Sequence, residues 1–174
     1  MPVVQVPNII DIEASGFGPQ GYPIEIGFVL SGGRRFCSLI KPLADWTHWS
    51  EDAAQVHKID RETLYVHGRE VRDVCEEMNT LLKGSTLYSD GWVVDKPWID
   101  KLFFGARMPM RFFVSPLELI LNERQMERWQ LTRDRIVQES NLARHRASND
   151  AWIIQETYIQ SRDAQSVLKR YPHP

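Results

Sequence analysis

Two periodicities divide the chain near residue 40: before it apolar residues alternate, and after it they recur at helical spacing. The first alternating run covers residues 4–13, with a possible break at Pro7, and closes on Ile9-Ile10-Asp11-Ile12-Glu13. A glycine-rich turn, Gly16-Phe17-Gly18-Pro19-Gln20-Gly21, follows. Over residues 23–30 Ile24, Ile26, Phe28 and Leu30 alternate, which predicts a second strand. Ser31-Gly32-Gly33 then turns the chain into a third strand over residues 34–40. Three strands joined by short turns predict an antiparallel meander.

The later segments read as helices with two short strands among them. Ser50-Glu51-Asp52 opens a short helix that ends near His57, and residues 60–65 form another helical turn. Over residues 69–82 Val71, Val74, Cys75, Met78, Leu81 and Leu82 fall on one stripe, with Gly84 as the stop. Residues 85–89 form a strand, and a helix over residues 94–105 carries Trp98, Leu102 and Phe103. Residues 111–114 form a further strand. Ser115-Pro116-Leu117-Glu118 combines a Ser cap, an early Pro and a Glu at the third helical position, which predicts a helix or helix pair reaching residue 140. A last helix starts near Ser148. This order implies an α/β fold: a mixed five-stranded sheet, three antiparallel strands and then parallel ones, with helices on both faces. Such sheets take ligands at the carboxyl ends of their strands.

Composition adds bounds. The 174 residues suit a single domain spanning residues 1–174, and 43% apolar with 25% charged residues is ordinary for a globular chain. A net charge of −2, from 21 basic and 23 acidic residues, gives no bulk attraction for nucleic acid. Cys37 and Cys75 fall on different elements and read as reduced core thiols, which fits a cytoplasmic setting. No apolar run reaches membrane-spanning length, so no membrane partner is expected, and no signal pattern opens the chain.

The chemistry begins with Asp11 and Glu13. On a strand they share a face, and two anions side by side repel unless a cation lies between them. Oxygen ligands suit magnesium or manganese. The other reading is a pair of charges at a strand end. A second Asp-x-Glu, Asp60-Arg61-Glu62, sits at a polar helix start and reads as a solvated face. Asp95 follows a short strand and opens a helix, where it is a metal ligand or a helix cap. In His145-Arg146-Ala147-Ser148-Asn149-Asp150 the aspartate lies in the first turn of the last helix, as a ligand or a capping acid, with His145 on the loop before it. A mobile histidine beside a metal-bound carboxylate suits a general base for water. His48, His67 and His173 lie in no such pattern.

Asp11-x-Glu13, then Asp95, then His145-x-x-x-x-Asp150, in this order, resembles the DEDDh group of 3′–5′ exonucleases, which includes the proofreading subunit of bacterial DNA polymerase III, ribonuclease T and oligoribonuclease. Gly16-Phe17, Ile24-Glu25-Ile26-Gly27, Val56-His57-Lys58-Ile59 and Asp150-Ala151 agree with secondary marks of that group, so the likeness spans about residues 8–160. The resemblance implies a ribonuclease-H-like fold and two divalent cations, Mg²⁺ or Mn²⁺, held by Asp11, Glu13, Asp95 and Asp150, with His145 as base. Two cations about 3.5–4 Å apart activate the nucleophile and stabilise the leaving oxygen, so no Ser or Cys nucleophile is needed. The partners implied are single-stranded 3′ ends or short oligonucleotides, and small relatives are often homodimers.

By the same analogy Phe17 stacks on or wedges beside the terminal base, against a plain reading as a turn aromatic packed on the core. Base–aromatic stacking contributes roughly 1–3 kcal/mol. Trp92 is a second candidate for substrate contact or a core anchor, and His57 contacts substrate or closes a helix. Glu25 reads as structural. The chain departs from the group where His-Asn is usual, carrying Asp90-Gly91, with Val94 in place of an aromatic. Asp90 is expected to place negative charge near the phosphate path. The small size favours RNA slightly over DNA. Two other readings stay open, a non-catalytic binding module of the same fold and a phosphodiesterase for small nucleotides.

Overall fold

The computed structural model describes residues 5–162; the expected strand start at Val4, and His173, lie outside the described residues. The elements run β1 (Asn8–Ala14), β2 (Pro23–Val29), β3 (Arg35–Leu39), α1 (Glu51–His57), α2 (Arg61–His67), α3 (Val71–Leu82), β4 (Thr86–Ser89), α4 (Trp92–Gly105), β5 (Phe113–Pro116), α5 (Glu123–Ser140) and α6 (Ala147–Ser161). One five-stranded sheet has the order β3-β2-β1-β4-β5. The meander pairs antiparallel, and β1–β4 and β4–β5 pair parallel, as the sequence pattern implies.

The register sorts the sheet into two faces. Ile10 and Ile12 of β1, with Ile24, Ile26 and Phe28 of β2, join Val74, Met78, Ile99 and Leu102 in one core under α3 and α4. On the other face Ile9 and Val29 pack with Ala151, Ile154 and Tyr158 of α6, which is backed by α5. Side chains alternate, so Asp11 and Glu13 share the α6 face with Ile9, and their register partners Gly27 and Glu25 share it too. The apolar period therefore aims the acids at the last helix.

Gly27 shows how close that helix comes. A Cβ there would lie 2.2 Å from the Ser148 amide nitrogen, so the start of α6 rests directly on the β2 backbone. No other residue type fits this contact without moving α6 away from β1.

Two expectations are corrected. Ser115 and Pro116 do not cap a helix; they pair with Tyr88 and Ser89 in β5, and Leu117–Ile120 makes only a 3₁₀ turn. The capping box lies further on, where the Asn122 side chain accepts from the Gln125 amide and Gln125 reaches back to Asn122. Strand pairing with β4 overrides the local cap signal, and Pro116 is tolerated because β5 is an edge strand. Cys37 is exposed on β3, and Cys75 alone is a core thiol. Among the described residues no helix is long and apolar enough to cross a membrane.

Candidate active site

The carboxyl end of β1, the first turns of α4 and α6, and the loop before α6 enclose a groove of about 350 Å³. Asp11, Glu13, Asp95, His145 and Asp150 all line it, together with Phe17 and His57. Trp92 is not among the lining residues. Its indole donates to the Val114 carbonyl at 3.0 Å and its ring packs on the larger core, which anchors α4.

Asp95 and Asp150 occupy the same place on their helices, one position past the third residue of the first turn, and neither caps its helix. Gly91 and Arg146 hold the cap positions. The Asp95 carboxylate instead accepts a short hydrogen bond from Ser89 Oγ, which itself accepts from the Gly91 amide. Asp150 accepts from Arg144 Nε at 2.8 Å and from the His145 amide at 3.1 Å. Both acids lie near the positive end of a helix dipole, which favours the anion.

His145 stands exposed on the loop with φ 58°, a left-handed conformation uncommon outside glycine. Such strain concentrates at functional positions. It brings the imidazole to Glu13 and Asp150, and one ligand atom from each of these three residues lies within 4.8 Å of the others.

The carboxylates strain against one another. Burial raises Asp11 well above the usual range, reinforced by Asp95, Glu13 and Asp150. Glu13 rises to about 8 through burial and then Asp150, Glu25 and Asp95, with Arg144 opposing. Asp95 rises to about 7 through burial, against the Ser89 hydrogen bond. Oxygen donors that repel in this way fit hard divalent cations, whose charge removes the penalty.

Stability should follow. A carboxyl group raised in the folded state stabilises the fold while protonated and ceases to do so once deprotonated. Without divalent cations the melting temperature should therefore fall as pH rises from the ordinary values of 3.8 and 4.5 through about 7 and about 8. Added Mg²⁺ or Mn²⁺ should raise it most at the alkaline end, because binding releases protons. A metal-independent melting temperature, flat across that window in a thermal scan, would contradict the cage.

Two features of the groove are not legible as site signals in the sequence. Its far wall is apolar: Val56 and Val94 line it at 49% and 39% exposure, beside Phe17 and Trp98. The Phe17 ring is 80% exposed and lies 6.1 Å from the Trp98 ring. Arg133 and Arg144 also line the groove. Arg133 Nη1 binds the Asp90 carboxylate at 2.8 Å, so the negative charge expected there is compensated within the protein. His57 is buried, its Nδ1 accepts from the Ile59 amide at 3.1 Å, and its Nε2 has no partner among the described residues. Burial holds its pKa below the ordinary value. Glu25, fully buried, accepts from Arg146 and from the Ala147 amide, a structural part as expected.

Solved structures of similar shape include exonucleases. E. coli exonuclease I in complex with a dA16 oligonucleotide superposes with TM-score 0.66 at 11% identity, over 91% of this chain and 41% of that one. The zinc-ion-bound E. coli ExoI–ssDNA complex gives 0.67 at 11% identity over the same shares. A moderately thermophilic exonuclease I from Methylocaldum szegediense gives 0.66 at 10% identity, over 93% of this chain and 42% of that one.

The chain has the exonuclease I fold.

It spans about two fifths of the length of these exonuclease I chains. No family model and no curated protein sequence matches it. The exonuclease I fold agrees with the ribonuclease-H-like architecture that the ordered acids imply, although few residues are shared.

Proposed function

We propose that this chain is a single exonuclease domain that removes mononucleotides from the 3′ end of single-stranded RNA or DNA, with RNA slightly favoured, in the presence of divalent cations. One observation carries the reading: four acids from β1, α4 and α6 meet a histidine on a strained loop in one groove with an aromatic wall. Exonuclease I structures of the same fold hold single-stranded DNA and, in one case, zinc.

Asp11, Glu13, Asp95 and Asp150 would hold two Mg²⁺ or Mn²⁺ ions. When bound, such ions lower the cost of generating the nucleophile and of charge on the leaving oxygen. His145, exposed and free of a helix, takes the proton of the attacking water; its contact with Asp150 through the backbone amide fixes the loop without using the ring. Phe17 and Trp98 offer a face for the terminal base, which every base can use. His57, whose buried Nε2 has no partner among the described residues, is the proposed polar contact on the α1 side of the groove.

The test uses 5′-labelled RNA and DNA oligomers with Mg²⁺, Mn²⁺ or a chelator. A ladder of shortened products should appear with metal only. His145→Ala should slow it by about 10²–10⁴-fold, the usual contribution of a positioned base. Binding without shortening would favour a non-catalytic module, and cleavage of dinucleotides alone a small-nucleotide phosphodiesterase.

A further inference from the structure

The acids of the groove have a purpose in the reading above, but metal ions at one end cannot hold a strand by themselves. Neighbouring phosphates need cations too. Among the arginines of α5, Arg133 alone lines the groove. Arg144, the other lining arginine, is tied through Nε to Asp150 and belongs to the acid cluster. Arg133 reaches the groove from α5, and its partner Asp90 lies in the turn between β4 and α4, five residues before Asp95. The Arg133 side chain thus shares one groove with the four acids.

The Arg133 and Asp90 side chains are 23% and 21% exposed, at the border between protein and groove. A guanidinium carries five N–H donors in a rigid fork that matches phosphate, and Asp90 engages one amine, Nη1. Gly91, next along, has no side chain to donate to a phosphate. We infer that Arg133, positioned by Asp90, grips a backbone phosphate of the single-stranded substrate beside the bond to be cut. This rests on the proposed nuclease function and adds the residue that retains the strand. The competing account is a strut that ties α5 to the turn between β4 and α4.

The salt dependence of binding separates the two. Binding of a short 5′-fluorescein-labelled single-stranded oligonucleotide is followed by anisotropy, with Ca²⁺ in place of Mg²⁺ to slow hydrolysis, between about 50 and 200 mM salt. One phosphate contact contributes about 0.7 to the slope of log affinity against log salt on a single strand. Arg133→Gln should lower the slope by that amount, so that about two- to three-fold less affinity is lost over the salt range. The double variant Asp90→Asn/Arg133→Gln removes one charge of each sign and should lower the slope equally, which excludes a change in net charge as the cause.

Unchanged slopes in variants that fold, while the native chain binds, overturn the inference and leave the nuclease reading intact. If the native chain fails to bind at low salt, the proposed function itself falls. Should circular dichroism find both variants unfolded, the pair is a strut and the inference is likewise overturned.

Discussion

Asp11→Asn is expected to remove metal-dependent shortening of oligonucleotides by on the order of 10³-fold or more and, in chelator, to make the protein more stable. Asp11 faces Asp95, Glu13 and Asp150 at once, and burial pushes its carboxyl group well above the ordinary range. Metal catalysis lowers a barrier by several kcal/mol, and each 1.36 kcal/mol is about tenfold in rate. Loss of a residue that would hold the ions forfeits most of that. The amide carries no charge, so the same substitution relieves repulsion in the metal-free cluster. The melting temperature in chelator should rise, and the increment on adding Mg²⁺ should shrink, since stabilisation by a ligand grows with the logarithm of its affinity for the fold. Activity within tenfold of the parent, with an undiminished Mg²⁺ increment, would remove Asp11 from the cage.

How far the sequence reveals this site depends on which groups speak through local pattern. The strand alternation of Ile10, Ile12, Ile24, Ile26 and Phe28 by itself places Asp11 and Glu13 on one face. The spacing of His145 and Asp150 locates both on a loop and a helix start, and Glu25 reads as structural beside them. Arg133 is different. It sits in α5 among Arg128, Asp134 and Arg135, a polar stretch that looks like solvated surface, and only the packing of α5 on α6 turns it toward the groove. The Phe17–Trp98 pair likewise depends on the glycine turn meeting α4, which no periodicity encodes. The false cap at Ser115-Pro116 has the same origin, since a pairing partner distant in sequence, Tyr88, decides it.

The helix that delivers Asp150 is fixed by an ion pair between Arg146 and the buried Glu25, and Arg146→Ala should be strongly destabilising. Glu25 is fully buried on the α6 face of β2 and accepts from Arg146 Nη2 at 2.6 Å, Nε at 3.0 Å and the Ala147 amide at 2.8 Å. The two partners differ: the Arg146 side chain is 44% exposed and Glu25 has no exposure at all. Removing Arg146 leaves a buried anion in the sheet with neutral partners, the Ala147 amide and the Cys37 thiol. An unpaired buried charge costs about 3–5 kcal/mol, and the partial exposure of Arg146 puts the expected loss near the lower end, about 3 kcal/mol. Glu25→Gln is gentler, because the freed guanidinium can turn to water and the amide oxygen can still accept from Ala147; about 1–3 kcal/mol follows. Combining the two substitutions should cost less than their sum, since no buried charge then remains. Cleavage should fall with stability in Arg146→Ala even at temperatures where the protein is folded, because His145 and Asp150 flank the lost anchor. Urea unfolding of the three variants decides it: if Glu25→Gln costs as much as Arg146→Ala, the buried anion is not what makes this junction expensive to break.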